Sequence, residues 1–159
     1  MPLLSAISSS KKKKQSDCWC SSVDHARVRH SKQAGGFTKS DGEPISGEAI
    51  RLANTNLSRV GLREMVDLRS GDATEIVAGL PGPFDYVFFD ADRFSAPAQL
   101  SLLIPKLTPD VLLLADNVLS HPNEIAAYLS ALEALPQFER VIVPIGKGLS
   151  VAYRSAADY

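Results

Sequence analysis

Residues 84–93 read FDYVFFDADR, and residues 111–117 read VLLLADN. In each, an unbroken apolar run stops at acidic or amide side chains. An apolar run of four to six residues without alternation fits a strand buried on both faces, as in a parallel sheet covered by helices. Carboxylates have no place inside such a strand. Just beyond it they fall in the crevice outside the carboxyl ends of the strands, where open α/β sheets bind ligands. Two adjacent strands ending this way gather Asp90, Asp92, Asp116 and Asn117 around one small volume. Their oxygen atoms suit a hard divalent cation.

The surrounding text supplies the rest of an α/β alternation. Residues 37–40 form a weak strand candidate, followed by Asp41-Gly42-Glu43-Pro44. Ile45, Ala49, Leu52, Ala53, Leu57 and Val60 recur at helical spacing, with Ser46 as N-cap and Gly61 as the stop. Residues 65–68 read as a short strand before Gly71-Asp72-Ala73, and residues 74–78 as a short helix closed by Gly79. Residues 95–107 carry a helical stripe, with Pro105 near its frayed end, and a further stripe runs from Pro122 through Ile125, Tyr128, Leu129 and Leu132. The last two strands, at 141–143 and 149–153, are separated by five residues, too few for a parallel crossover, and are expected to pair antiparallel. The expected fold is α/β: a Rossmann-like, mostly parallel sheet with helices on both faces and a C-terminal antiparallel hairpin.

Composition narrows the class. A chain of 159 residues, 45% hydrophobic and 22% charged, holds one domain with a real core. The formal charge of -1 gives no general electrostatic reason to expect nucleic acid or an anionic membrane as partner. No apolar stretch approaches the roughly 20 residues of a membrane span, and the opening Met1-Pro2-Leu3-Leu4 is too short for a signal-peptide core. A cytoplasmic protein is the default expectation. Cys18 and Cys20 stand one residue apart, unfavourable for a mutual disulfide, and read as ordinary thiols. Residues 1–34 differ in texture from residues 35–159, and the lysines at 11–14 after a run of serines read as a solvated tail.

The blocks FDYVFFDADR, LLLADNVLSH at 112–121 and PIGKGLSVAYR at 144–154, with NLSRVGLREMVDLRSGDA at 56–73, resemble class I S-adenosylmethionine-dependent methyltransferases. The resemblance is specifically to the cation-dependent O-methyltransferases of the catechol and caffeoyl-CoA type, and it covers about residues 35–154. It implies transfer of a methyl group from S-adenosylmethionine to a hydroxyl of a small phenolic acceptor, assisted by Mg²⁺ or a similar ion. The implied metal ligands are Asp90, Asp116 and Asn117. The implied donor-side positions are Asp41, Asp72, Ala73, Asp90 and Asp92: Asp92 near the methyl donor, Asp72 near the adenine, and Asp41, preferred over Glu43, on the ribose. Read from its own neighbourhood, Asp72 is equally a helix N-cap. His121 is either close to the acceptor or part of a helix start. Many enzymes of this kind are homodimers.

Two departures from the family pattern stand out. Where the family commonly places a lysine as base, this chain has Arg93, which stays protonated and therefore serves as oxyanion stabiliser or acidic-substrate binder instead. Lys147, inside a Gly-Lys-Gly turn, is no secure replacement. Upstream, the family's first strand and glycine-rich donor loop are not legible: no glycine precedes Gly35, and Cys18-Trp19-Cys20-Ser21-Ser22 occupies the region. The first strand and loop are therefore expected to be missing or replaced, with residues 26–33 as a remnant of the following helix. A non-catalytic binding module that keeps the fold is the alternative reading.

Overall fold

The computed structural model describes residues 18–20, 34–37, 47–90 and 92–156, with side chains from Ile50 onward. Seven strands form one mixed sheet: β1 (Cys18–Cys20), β2 (Ala34–Phe37), β3 (Asp67–Ser70), β4 (Phe84–Phe89), β5 (Leu107–Asp116), β6 (Glu139–Val143) and β7 (Leu149–Arg154). Their order is β3-β2-β1-β4-β5-β7-β6. The first five pair in parallel, whereas β7 runs antiparallel to both β5 and β6. The expected C-terminal hairpin is thus present, with β7 inserted between β5 and the edge strand.

The first strand is not missing. Cys18-Trp19-Cys20 fills the central slot, with Cys18, Trp19 and Cys20 in register with Tyr86, Val87 and Phe88 of β4 and Cys20 beside Gly35 of β2. Three residues are too few to display a period, which is why the strand could not be read from its pattern. The sheet therefore begins ahead of residue 35. The strand expected at 37–40 lies instead at Ala34–Phe37. The glycine-rich loop and the helical remnant at 26–33 concern residues outside those described, as do Ser46 and the Asp41 neighbourhood.

Among the described residues four helices accompany the sheet: α1 (Gly47–Arg59), α2 (Ala73–Gly79), α3 (Ala96–Leu103) and α4 (Pro122–Glu133). Gly61 ends α1 with φ 72°, a conformation that costs glycine little. Met65 belongs to a 3-10 turn (Arg63–Met65), so β3 starts two residues later than the apolar pattern suggests. Pro105 sits in a second 3-10 turn (Ile104–Lys106), where its missing N–H is tolerated. There Lys106 Nζ donates to the carbonyls of Val77 and Ala78 at 2.7 and 2.8 Å, closing the C-terminus of α2.

The core lies between the sheet and the layer α2-α3-α4, whose members pack side by side. Along β5, Val111, Leu113 and Ala115 are buried while Leu112 and Leu114 are half-buried, so the two faces are covered unequally. The fully buried face meets Val77 of α2, Leu100 and Leu103 of α3, and Ile125, Tyr128 and Leu132 of α4 in one cluster. Truncating a residue such as Leu103 to alanine in such a core costs about 2–5 kcal/mol. β5 is longer than its apolar run because an irregularity opposite Phe84 to Tyr86 takes up the segment containing Pro109. Buried Arg154 of β7 ties that irregularity down by donating to the carbonyls of Thr108 and Pro109.

Candidate active site

Phe88 and Phe89 of β4 are in register with Leu114 and Ala115 of β5. Neighbouring strands lie about 4.8 Å apart, so the next residues along, Asp90 just past β4 and Asp116 at the last position of β5, come side by side. Asp90, Asp92, Arg93, Asp116 and Asn117 all line one open cleft, walled by Phe89, Ala96 and Ile125. The five residues singled out at the two strand ends are therefore brought together. The cleft adjoins the point where the chain, having run outward from β1 through β2 and β3, returns to the other side at β4. Open α/β sheets bind ligands at this reversal.

Each polar group in the cleft is held by local structure. Asp92 bends the chain into α3: its carboxylate accepts from the amides of Phe94 and Ser95 at 3.1 and 3.0 Å. Ser95 Oγ returns a hydrogen bond to the Asp92 carbonyl, and buried Gln99 donates to Ser95 Oγ at 2.8 Å. Arg93 turns toward α4, where its Nη1 donates to Glu124 Oε2 at 2.9 Å. Its Nε is buried and has no partner among the described residues. Asn117 has φ 63°, in the left-handed region that asparagine tolerates better than most side chains.

Asp90, Asp116 and Asn117 carry oxygen atoms of the kind a hard cation takes as ligands. Asp90 and Asp116 contribute carboxylates and Asn117 an amide oxygen, and like charges placed side by side gain from a bound divalent ion. Among the described residues no group of three or more His, Cys, Asp or Glu side chains is arranged to hold a metal. Asp92, the third carboxylate of the cleft, accepts from backbone amides.

The other candidate residues lie elsewhere. Asp72 N-caps α2, accepting from the Glu75 amide at 2.9 Å, and Ala73 is buried as the first residue of that helix; neither lines the cleft. Asp41 and Glu43 lie outside the described residues. His121 stands at the N-cap position of α4 with Nδ1 2.8 Å from Ser120 Oγ, and Lys147 is exposed. Glu124 had not been singled out. Its pairing with Arg93 spans 31 residues of sequence, and only its place in an acidic first turn after Pro122 hinted at a role. Burial also pushes the Tyr128 hydroxyl well above the ordinary tyrosine range, and that hydroxyl, behind the cleft wall, has no partner among the described residues. Its ring lies 5.0 Å from that of Phe89.

Known proteins share this build. A family described as a methyltransferase domain matches residues 3–118. A catechol O-methyltransferase from Niastella koreensis is 35% identical over 72 residues, covering 43% of this chain and 33% of that protein. The match thus spans about a third of that relative's length. An O-methyltransferase from Bacillus cereus, crystallised with SAH, superposes with a TM-score of 0.69 at 18% identity, covering 89% of this chain and 74% of its own. A methyltransferase from Geobacter sulfurreducens superposes with a TM-score of 0.66 at 21% identity, covering 89% and 72%. The family match takes in the β1 segment and both strand-end clusters, and the chain belongs to the methyltransferase-domain family, with a class I S-adenosylmethionine-dependent methyltransferase fold related to the O-methyltransferases.

Proposed function

We propose that this chain transfers a methyl group from S-adenosylmethionine to a hydroxyl of a small catechol-like acceptor, with a divalent cation held by Asp90, Asp116 and Asn117. The observation that carries this reading is the convergence of two strand-end clusters, Asp90, Asp92 and Arg93 with Asp116 and Asn117, in a single cleft. The catechol O-methyltransferase relative supports the choice of acceptor class.

In the reaction the acceptor oxygen forms a bond to the methyl carbon, the sulfur–carbon bond breaks with its electron pair going to sulfur, and the hydroxyl proton is lost to solvent. A bound cation would supply orientation of vicinal acceptor oxygens and a lowered hydroxyl pKa. The protein's own tasks are alignment and charge placement. Asp92 shapes the turn that sets Arg93 at the cleft. The Arg93 guanidinium offers positive charge beside a developing oxyanion. Phe89, Ala96 and Ile125 supply apolar wall that limits water. On the donor side the reading retains Asp41, Asp72, Ala73, Asp90 and Asp92, with Asp72 also serving as the helix cap.

One observation favours a second reading, a binding module without turnover: the position where the family commonly has a lysine base is filled by a guanidinium already paired with Glu124. Incubation with S-adenosylmethionine and catechol separates the two. The enzyme reading expects methylated catechol with Mg²⁺, none after chelation, and none from Asp90→Ala. Turnover that survives both chelation and Asp90→Ala contradicts the ligand assignment; folded protein giving no product under any condition supports the module.

A further inference from the structure

The loop between β6 and β7 lines no part of the cleft, yet it grips the segment that carries Asn117. Three consecutive amides immediately after Asn117 are spoken for: Val118 donates to the Gly148 carbonyl at 3.2 Å, and Leu119 and Ser120 donate to the Lys147 carbonyl at 2.9 and 3.2 Å. Ser120 Oγ adds a bond to the Asn117 carbonyl at 3.2 Å. Alongside, Asp116 is in register with Leu149, the residue that follows Gly148. Both the backbone of Asn117 and that of Asp116 are therefore fixed from the C-terminal hairpin.

The fit at Gly148 is close. Its φ is 85°, its amide donates to the Ile145 carbonyl at 3.0 Å, and a Cβ there would stand 2.4 Å from Leu119 Cγ and 2.8 Å from Leu119 Cβ. Only glycine permits this approach. Asn117 is also the only non-glycine residue with positive φ among those described. A left-handed residue persists where its surroundings over-determine it, and here the surroundings are the carbonyls of Lys147 and Gly148.

We infer that the turn Gly146-Lys147-Gly148 is the positioning element of the cation site: it holds Asn117 in its left-handed conformation through the Lys147 and Gly148 carbonyls, with Gly148 as the residue that makes the contact sterically possible. The inference rests on the cation reading above and assigns Lys147 a backbone role only. Outer supports of metal ligands of this kind are worth roughly 10–100-fold in metal affinity.

The test is Mn²⁺ binding followed by loss of the free-ion electron paramagnetic resonance signal, beside S-adenosylhomocysteine calorimetry in metal-free buffer. Gly148→Ala is expected to weaken Mn²⁺ binding about tenfold or more while leaving S-adenosylhomocysteine affinity unchanged; a merely structural glycine would lower both or neither. Lys147→Ala is expected to bind Mn²⁺ as the unaltered chain does. Should Gly148→Ala fail to fold, Gly148→Ala combined with Leu119→Ala relieves the contact with Cγ but keeps that with Cβ, and is expected to bind Mn²⁺ more weakly than Leu119→Ala alone. Equal affinity in that pair, equal affinity in Gly148→Ala and the unaltered chain, or a comparable loss in Lys147→Ala, overturns the inference. No Mn²⁺ binding by the unaltered chain instead removes the cation reading, and the inference falls with it.

Discussion

Arg93, which lines the cleft, forms an ion pair with Glu124, Nη1 to Oε2 at 2.9 Å, which ties the turn after β4 to the first turn of α4. The Arg93 side chain is 15% exposed and that of Glu124 35%, so the pair is partly shielded from water. Glu124→Ala leaves a half-buried guanidinium without its carboxylate. The expected loss of stability is about 1–2 kcal/mol, read from urea unfolding; no loss would show that the pair contributes nothing to holding α4.

The same pair governs whether a base can be restored. Arg93→Lys alone places an amine against Glu124, and an opposite charge nearby favours the protonated form. Little gain in kcat is expected. Combining Arg93→Lys with Glu124→Gln removes that bias, and kcat for methyl transfer is expected to rise about tenfold, a modest share of the 10²–10⁴ that a positioned base supplies. Equal rates in the single and double variants would show that Glu124 does not control the residue at position 93.

Asp72 separates two roles cleanly because asparagine caps a helix as well as aspartate does. Asp72→Ala is expected to cost about 1 kcal/mol through loss of the bond to the Glu75 amide. Asp72→Asn is expected to retain that stability and to bind S-adenosylhomocysteine more weakly. Calorimetry showing unchanged affinity in Asp72→Asn would confine the residue to its capping role.

Tyr128 gives the pH dependence. Its hydroxyl is buried without a partner among the described residues, and burial raises its pKa above the ordinary value of 10.0. Replacing the hydroxyl by hydrogen in Tyr128→Phe is expected to stabilise the protein by about 1 kcal/mol near neutral pH. Below pH 10 the hydroxyl is protonated in both folded and unfolded chains. Above pH 10 only the unfolded chain ionises, so stability falls as pH rises toward the folded value, and the advantage of Tyr128→Phe grows by about 1.4 kcal/mol per pH unit. A constant difference from pH 7 to 11 would contradict the burial of this hydroxyl.

Much of this architecture was legible in the sequence, for identifiable reasons. The runs at 86–89 and 111–115 and the stripe through Ile125, Tyr128 and Leu132 bury enough apolar surface that pattern alone places them, and the polar residues at the strand ends fall together because strand register is regular. Cys18–Cys20 was not legible, since a strand of three residues has no period and is defined by its neighbours β2 and β4. Glu124 and Gly148 were not legible either. Each acts through a contact between distant segments, the first with Arg93 and the second with Leu119, and nothing local in the sequence marks such contacts. Asp72 was legible as a cap because that role depends only on the next three residues.

The proposed function requires this cleft to serve a methyl donor and a divalent cation together. Isothermal titration of the folded chain with S-adenosylhomocysteine, with and without Mg²⁺, addresses it directly. Saturable binding of S-adenosylhomocysteine is expected in both conditions, and catechol binding in the presence of the product only when Mg²⁺ is added. No heat beyond mixing from folded protein at high S-adenosylhomocysteine concentration would contradict it.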